Sequence, residues 1–546
     1  MLKKNFYIYI VFLSTLIVGL LIYPDYGFDT DEKFQRSNGF YWLYYVSDYF
    51  GFEQLKLSAQ TKLDSIEGFT LSPVGHFNKY GVIFDLPAAF FEIIFNINEP
   101  IKFYQLRHFL VFLFFFLGSI YFYRILNNRF RNEWISLLGL LLLIFTPRLF
   151  GNSFFNSKDI VFLSLYSISL FYYFKTIDNS SNYNIILFSL FSAISTTMRI
   201  VGVFLPFSLI FIWLLGIISN KRDLKTSSVL IYLFSYIFFL IISWPLLWEN
   251  TSENFLSYFE ILTHYFGSKV LFLGEYYPPG YLPYYYLIFW IFISTPVIHL
   301  ILFLTGFIFY SKRLIKRFFQ IKNFSIYNDL WRSKNEKKDF LIFLNLIVFF
   351  LFFTFMNIIL YNGWRIAYFF YIFIIYYSTL GIYWIFILIR KKKYIKNFTS
   401  YLIVIFIFFS AYRMYIYHPY QAFYFNFLTP QNIKQKVDVD YTGLSGIQFL
   451  NEIIEKEPGN HNIKIGIASW YPLWRMSEIL DEDKSNRLIF VSNEERDKSD
   501  YIYSNRISDV DKRYYKKYDI PKNFTKIKEY KIDNAIIYEV YKKIEK

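Results

Sequence analysis

Three carboxylates, Asp29, Asp31 and Glu32, crowd into the four residues "DTDE", just after an apolar run of about twenty residues. A fourth, Asp159, follows Lys158 in "NSFFNSKDI", where another apolar run begins. Arg199 closes "SAISTTMR", and Arg365 sits in "YNGWRIAYFF". A carboxylate can take the proton of a hydroxyl within hydrogen-bond reach. A guanidinium offers phosphate oxygens a rigid fork, and a lysine adds a point charge. Transfer of a sugar from a lipid phosphate to an alcohol needs both: a base for the acceptor and cations for the departing anion. Each residue also has a plainer reading. The "DTDE" carboxylates could be solvated at a helix end, Asp159 could cap the helix that follows, and the arginines could snorkel to lipid phosphates. The residue types alone leave both readings open.

The elements that must position these groups are membrane spans. The chain has 546 residues, 55% hydrophobic and 24% aromatic, with the apolar residues in long blocks such as "FLIFLNLIVFFLFFTFMNIIL". A helix needs roughly 20 apolar residues to cross the hydrocarbon core. We expect about 11 transmembrane helices, near 6–24, 104–124, 133–148, 159–175, 184–199, 201–219, 226–247, 284–309, 339–360, 366–389 and 398–416. The first lacks a small-residue cleavage site and is expected to stay as an anchor.

Lys3 and Lys4, Arg124, Arg129 and Arg131, Lys175, Lys221, Arg222 and Lys225, the basic loop before residue 339 and "RKKKYIK" then fall on one side, the cytoplasm by the positive-inside rule. The N-terminus is therefore expected inside. Outside lie the 25–103 loop, the acidic and arginine motifs, and everything after "HPYQ". Residues 81–97 hold Asp85, Pro87 and Glu92 and run short, so they are read as a helix in the interface rather than another span.

The chain thus divides into a transmembrane domain, 1–419, and a polar C-terminal domain, 420–546. The latter carries short β-type runs ("IKIGIAS", "RLIFVS", "DYIYS", "AIIYEV") beside the helical "GIQFLNEIIEKE", the pattern of a small α/β domain. Cysteine is absent, which excludes disulfides and thiolate metal sites. The six histidines, His76, His108, His264, His299, His418 and His461, form no helical pair of metal-ligand spacing. A divalent cation held by Asp or Glu stays open. The net charge of +15 sits in membrane-flanking loops and does not point to nucleic acid.

These motifs resemble those of bacterial membrane glycosyltransferases with the GT-C fold, in the family 39-like group of protein O-mannosyltransferases and the aminoarabinose transferase of lipid A. The features are Asp31–Glu32 after the first span, "FFNSKD" before the fourth, "LYNGWRIAYF" and "HPYQAFYFN". The sequence departs in "DYTG" at 440–443, where relatives commonly have "DYWG", and in Asn362, where they often carry Asp. The resemblance implies an all-α polytopic domain with a small extracytoplasmic α/β domain, in a bacterial inner membrane. It implies transfer of a sugar from a polyprenyl-phosphate donor to a protein, lipid or glycan hydroxyl, with inversion. Asp31 maps to the base, with Glu32 in support and Asp29 as the nearest rival. Asp159 would orient the acceptor or a metal. Lys158, Arg199 and Arg365 would hold the donor phosphate. Trp364, His418 and Tyr420 fall in the shared motifs, as acceptor contacts or structural residues.

Two other classes compete. A flippase or transporter of a polyprenyl-linked sugar would place polar residues near mid-bilayer and often show repeat symmetry. Here the ionisable residues gather at one interface. An O-antigen ligase or polymerase type of enzyme would typically carry an arginine-rich external loop with a histidine, and the acidic pair after the first span argues against it.

Overall fold

The computed structural model describes residues 6–69, 71, 79–218, 224–261, 269–319, 330–356 and 358–544. Lys3, Lys4, His76, Lys221, Arg222, His264 and part of the basic loop before residue 339 lie outside them.

Every expected span contains a helix. They begin with α1 (Phe6–Ile22); an external stretch then folds as α2 (Thr30–Tyr49), α3 (Glu53–Asp64) and α4 (Asp85–Ile94). The bundle continues with α5 (Pro100–Phe130), α6 (Glu133–Ile144), α7 (Pro147–Phe155), α8 (Asp159–Asp178) and α9 (Asn182–Met198). Then come α10 (Phe204–Ile218), α11 (Thr226–Ser243), the short α12 (Thr251–Ile261) and a hairpin of β1 (Val270–Phe272) and β2 (Glu275–Tyr277). Last in the bundle are α13 (Tyr286–Ser294), α14 (Val297–Phe319), α15 (Lys334–Phe355), α16 (Phe370–Leu388) and α17 (Lys393–Tyr417). Among the described residues nine helical segments are long and apolar enough to cross a membrane, ten if α6 and α7 count as one bent span. The protein is a multi-pass membrane protein. The expected span at 184–199 falls outside that count: it is α9, a 17-residue helix.

Two expected spans are not continuous. The run at 133–148 ends at α6, and the chain turns by 63° into α7. Thr146, preceding Pro147, takes the extended backbone that a following proline imposes. The run at 284–309 breaks between α13 and α14 in the same way, with Thr295 extended before Pro296. Elsewhere the bundle closes tightly. Gly306 on α14 and Gly381 on α16 let two backbones touch, since a Cβ on Gly306 would lie 1.9 Å from the Tyr377 carbonyl oxygen.

Residues 81–97 form no span. On α4, Asp85 and Glu92 face inward, each less than 2% exposed, while Phe91, Ile94 and Phe95 face out. Asp85 accepts from Arg107 Nη2 at 2.7 Å, and Glu92 from the Arg36 guanidinium at 2.6 Å. These ion pairs dock α4 onto α5 and α2, and the phenyl rings are left as its outer face.

Beyond α17 the chain does not leave the bundle at once. Tyr420, Gln421 and Phe423–Phe425 are buried against it. After α18 (Gln431–Lys434) comes α19 (Gly446–Lys456), and then a five-stranded sheet in the order β4-β3-β5-β7-β6. Its strands are β3 (Ile463–Ile467), β4 (Leu488–Phe490), β5 (Tyr501–Ser504), β6 (Phe524–Ile532) and β7 (Ala535–Lys543), with α20 (Glu482–Ser485) before β4. Strand β3 runs parallel to β4 and β5, and β7 is antiparallel to both β5 and β6. Phe449, Leu450 and Ile453 of α19 pack on it. The expected architecture, a polytopic helical bundle followed by a small α/β region, is the one observed.

Candidate active site

The "DTDE" motif starts α2, and its three carboxylates divide the work. Asp29 is the N-cap: its Oδ1 accepts from the Asp31 N–H at 3.1 Å. Glu32 reaches back to accept from the Asp29 N–H at 2.9 Å, completing a capping box. Glu32 also meets His108 Nε2 of α5 at 3.1 Å. Both carboxylates are therefore spent on local structure, with side chains 4% and 2% exposed. The Asp31 side chain points away from the cap and is 41% exposed.

Arg365 comes to Asp31 from far along the chain. Its Nη2 lies 2.7 Å from Asp31 Oδ2, and its Nη1 3.9 Å from Asp29 Oδ2. The turn that presents it is strained. Tyr361 (φ 53°), Gly363 (φ 68°) and Trp364 (φ 57°) all occupy the left-handed region. At Gly363 the Tyr441 ring also leaves no room for a Cβ. Such conformations cost about 1–3 kcal/mol each for side-chain-bearing residues and persist only when surrounding contacts impose them. Here the Tyr286 hydroxyl donates to the Tyr361 carbonyl at 2.9 Å and accepts from the Gly363 N–H at 3.2 Å. Asn362 Nδ2 donates to Asp438 Oδ2 at 2.6 Å, and Trp364 Nε1 to Ser294 Oγ at 3.1 Å.

The second acidic motif arrives beside the first. Asp159 opens α8, yet it does not cap it: Asn156 Oδ1 accepts the Asp159 N–H at 3.0 Å, and Asn156 Nδ2 donates to Asp159 Oδ2 at 3.0 Å. The carboxylate instead receives Arg199 Nη2 at 2.5 Å. Arg199 Nε is buried with no partner. Next to it Tyr80, Tyr258 and Tyr361 help enclose a hollow of about 30 Å³. Lys158 lays its ammonium 3.5 Å from the centre of the Tyr80 ring and 4.8 Å from that of Phe34.

Electrostatics tie the parts into one cluster. Burial draws the Lys158 ammonium down to about 8, against the raising pull of Asp85, Asp31 and Asp159. Burial would also lower the Arg365 guanidinium, but Asp31, Asp29 and Asp159 outweigh it and hold it well above its usual value. Burial, followed by the charge of Asp31, pushes Asp29 well above the carboxylate range. Asp29 is the buried carboxylate of the pair and Asp31 the accessible one.

Trp364, His418 and Tyr420 make contacts of their own. Trp364 is fully buried behind the Arg365 turn. His418 Nε2 meets Asp25 Oδ2 at 2.9 Å, and the Tyr420 hydroxyl donates to Gln448 at 2.5 Å. Neither contact reaches Asp31. Among the described residues no three His, Asp or Glu side chains are arranged to hold a metal ion.

Sequence reasoning missed His108, Tyr80 and Asp438. His108 and Arg107 stand in an otherwise apolar span, where ionisable residues are rare and mark function or pairing; that signal was available. Nothing local pairs Asp438 with Asn362, since the contact depends on tertiary folding.

Residues 87–248 match the family model described as dolichyl-phosphate-mannose-protein mannosyltransferase. The stretch is less than a third of the chain and contains Lys158, Asp159 and Arg199, so the resemblance read from the motifs is met there. "DTDE", "YNGWR" and "HPYQ" lie outside it. No curated protein matches the chain. Among solved structures, the chain is similar to ArnT from Cupriavidus metallidurans bound to undecaprenyl phosphate, with 9% identity over 98% of each chain and a TM-score of 0.44. It is also similar to the Archaeoglobus fulgidus oligosaccharyltransferase in the apo form, with 12% identity over 87% of this chain and 64% of that one and a TM-score of 0.46.

Proposed function

We propose that the protein is an inverting membrane glycosyltransferase that moves a sugar from a polyprenyl-phosphate donor to a hydroxyl acceptor, with Asp31 as the base. The observation that carries this reading is the contact of Asp31, the accessible carboxylate of its motif, with Arg365, in a cluster completed by Arg199–Asp159 and Lys158. The acceptor oxygen attacks the anomeric carbon as the bond to the phosphate oxygen breaks. The acceptor proton passes to Asp31, and the electron pair leaves with the polyprenyl phosphate. A single displacement needs one base and a stabilised leaving group, and inverts the centre. Arg365 has one Nη on Asp31 and further N–H groups for phosphate oxygens; Arg199 Nε and the Lys158 ammonium add to them. Asp159 fixes Arg199, and Glu32 fixes the start of α2. No step passes through a metal.

The same reading carries an orientation. Arg129 pairs with Asp339, Lys338 with Asp178, and Arg317 with Glu336, so the loops rich in lysine and arginine meet at one end of the bundle. By the positive-inside rule that end is cytoplasmic, and the candidate site with the domain after residue 419 faces out from a bacterial inner membrane. A periplasmic reporter fused after residue 544 should be active; silence would overturn the orientation.

The decisive assay is transfer of radiolabelled sugar by purified protein from a panel of hexosyl and pentosyl polyprenyl phosphates to protein, lipid and glycan acceptors. Turnover by wild type and its loss in Asp31→Asn are expected. Full turnover in Asp31→Asn would remove Asp31 from the mechanism.

A further inference from the structure

Two hollows outside the candidate site meet at one threshold. The first is an apolar groove of about 650 Å³ between α1, α6 and α17, walled by residues such as Val11, Val18, Leu141, Phe145, Ile407 and Ala411. The second is a cavity of about 760 Å³ between the start of the external stretch, α5 and the C-terminal region. Asp25 lines both. It forms the threshold with His418 (2.9 Å to Nε2), whose Nδ1 meets Gln421 Nε2 at 3.1 Å. The Tyr26 hydroxyl completes the chain, donating to Gln421 Oε1 at 2.9 Å. His418 and Gln421 line the groove; Tyr26 lines the cavity. The Asp25 side chain at this threshold is 49% exposed. Each hollow is of the size that encloses a ligand.

Their chemistries differ in the way the two halves of an amphiphile differ. The groove walls are aliphatic and aromatic and belong to spanning helices. The cavity presents carboxylates from Asp25, Glu452, Glu455 and Asp481 against Lys484, with amides from Gln105, Gln448 and Asn451. That wall repels a phosphate and offers many partners to hydroxyls. His108 lines it too; the residue is 98% buried and its Nδ1 has no partner. Arg365, Arg199 and Lys158 line neither hollow.

We propose that groove and cavity together form a binding site for a membrane lipid with a hydroxyl-rich, uncharged or cationic head, its chains lying between α1, α6 and α17 and its head beyond the Asp25–His418 pair. The head then rests against His108, whose Nε2 holds Glu32 of the "DTDE" cap. The site is separate from the cations proposed to bind the donor, and its occupancy is measured without any transfer reaction.

The test uses the full chain, delipidated in detergent and offered monoglucosyl diacylglycerol or phosphatidylglycerol of identical acyl chains, with retained lipid read by native mass spectrometry. Wild type should retain one glucolipid with at least tenfold preference. Ala411→Trp, which fills the groove, should lower retention at least tenfold. Glu455→Lys with Asp481→Lys should turn the preference toward phosphatidylglycerol; both residues are exposed, so this variant tests the head site even if Ala411→Trp fails to fold. Equal retention of the two lipids by wild type, which would mean annular lipid only, overturns the proposal. So does an unchanged preference in the folded double lysine variant.

Discussion

The protein buries acid–base clusters at both ends of its bundle, and the two are built differently. At the end with the basic loops, Arg129 grips Asp339 with Nε and Nη2 at 2.6 and 2.7 Å, while the Tyr376 hydroxyl donates to the same carboxylate at 2.7 Å. Asp339 is fully buried, and both carboxylate oxygens are satisfied. At the other end Asp31 is 41% exposed, Arg199 Nε has no partner, and the turn carrying Arg365 has two non-glycine residues at positive φ. In the first arrangement the carboxylate is buried and both of its oxygens are taken by Arg129 and Tyr376. The second keeps capacity unspent and maintains strain, the pattern of a working site.

Substitution at each end should separate the two. The largest effect is on activity: Asp31→Asn should lower transfer by roughly 10³–10⁴-fold, near the upper range of general-base catalysis, with an unchanged melting temperature. At the opposite end Arg129→Ala leaves a buried carboxylate without its main partner and should cost about 3–5 kcal/mol of stability. Thermal melting in detergent, beside transfer assays on the fraction still folded, would show one effect without the other. If Asp31→Asn melts early, or Arg129→Ala loses rate while still folded, the contrast fails. Arg365→Lys comes next. It keeps the charge and loses the fork, so about a 10²-fold fall in turnover is expected, expressed in the rate at saturating donor.

The membrane domain was legible because a spanning helix announces itself by the length of its apolar run. The breaks at Pro147 and Pro296 were less so, since apolarity continues across both. Strand β6 went unread because "FTKIKEYKI" alternates with lysines on the edge of its sheet, where only its ends are buried. In the site, the meeting of "DTDE" with "YNGWR" was anticipated from motifs. The preference for Asp31 over Asp29 came only from the resemblance, although an Asp followed three residues later by Glu is the signature of a capping box. That signature places Asp29 and Glu32 in the cap and leaves the Asp31 side chain outside it. Of the two readings open for Asp159, the cap is not the one observed, because Asn156, three residues earlier, accepts its N–H.

The smallest effect concerns the support of the strained turn. Asp438 Oδ2 accepts from Asn362 Nδ2 and from the Leu271 N–H at 2.9 Å, and burial pushes its carboxyl up to about 7 even with Lys512 and Arg506 drawing it down. A carboxyl raised on folding adds stability that is complete below its unfolded value near 4 and disappears as pH rises through the folded one. Between pH 5 and pH 8 wild type should therefore lose about 3 kcal/mol from this group alone. Asp438→Asn keeps an oxygen for both donors and has no proton to lose. Its melting temperature should match wild type more closely at pH 5 and exceed it at pH 8, with Arg365 still held in place and transfer retained. A gap that does not change with pH would mean that Asp438 stays charged in the folded protein, and that Lys512 and Arg506 rather than burial set its state.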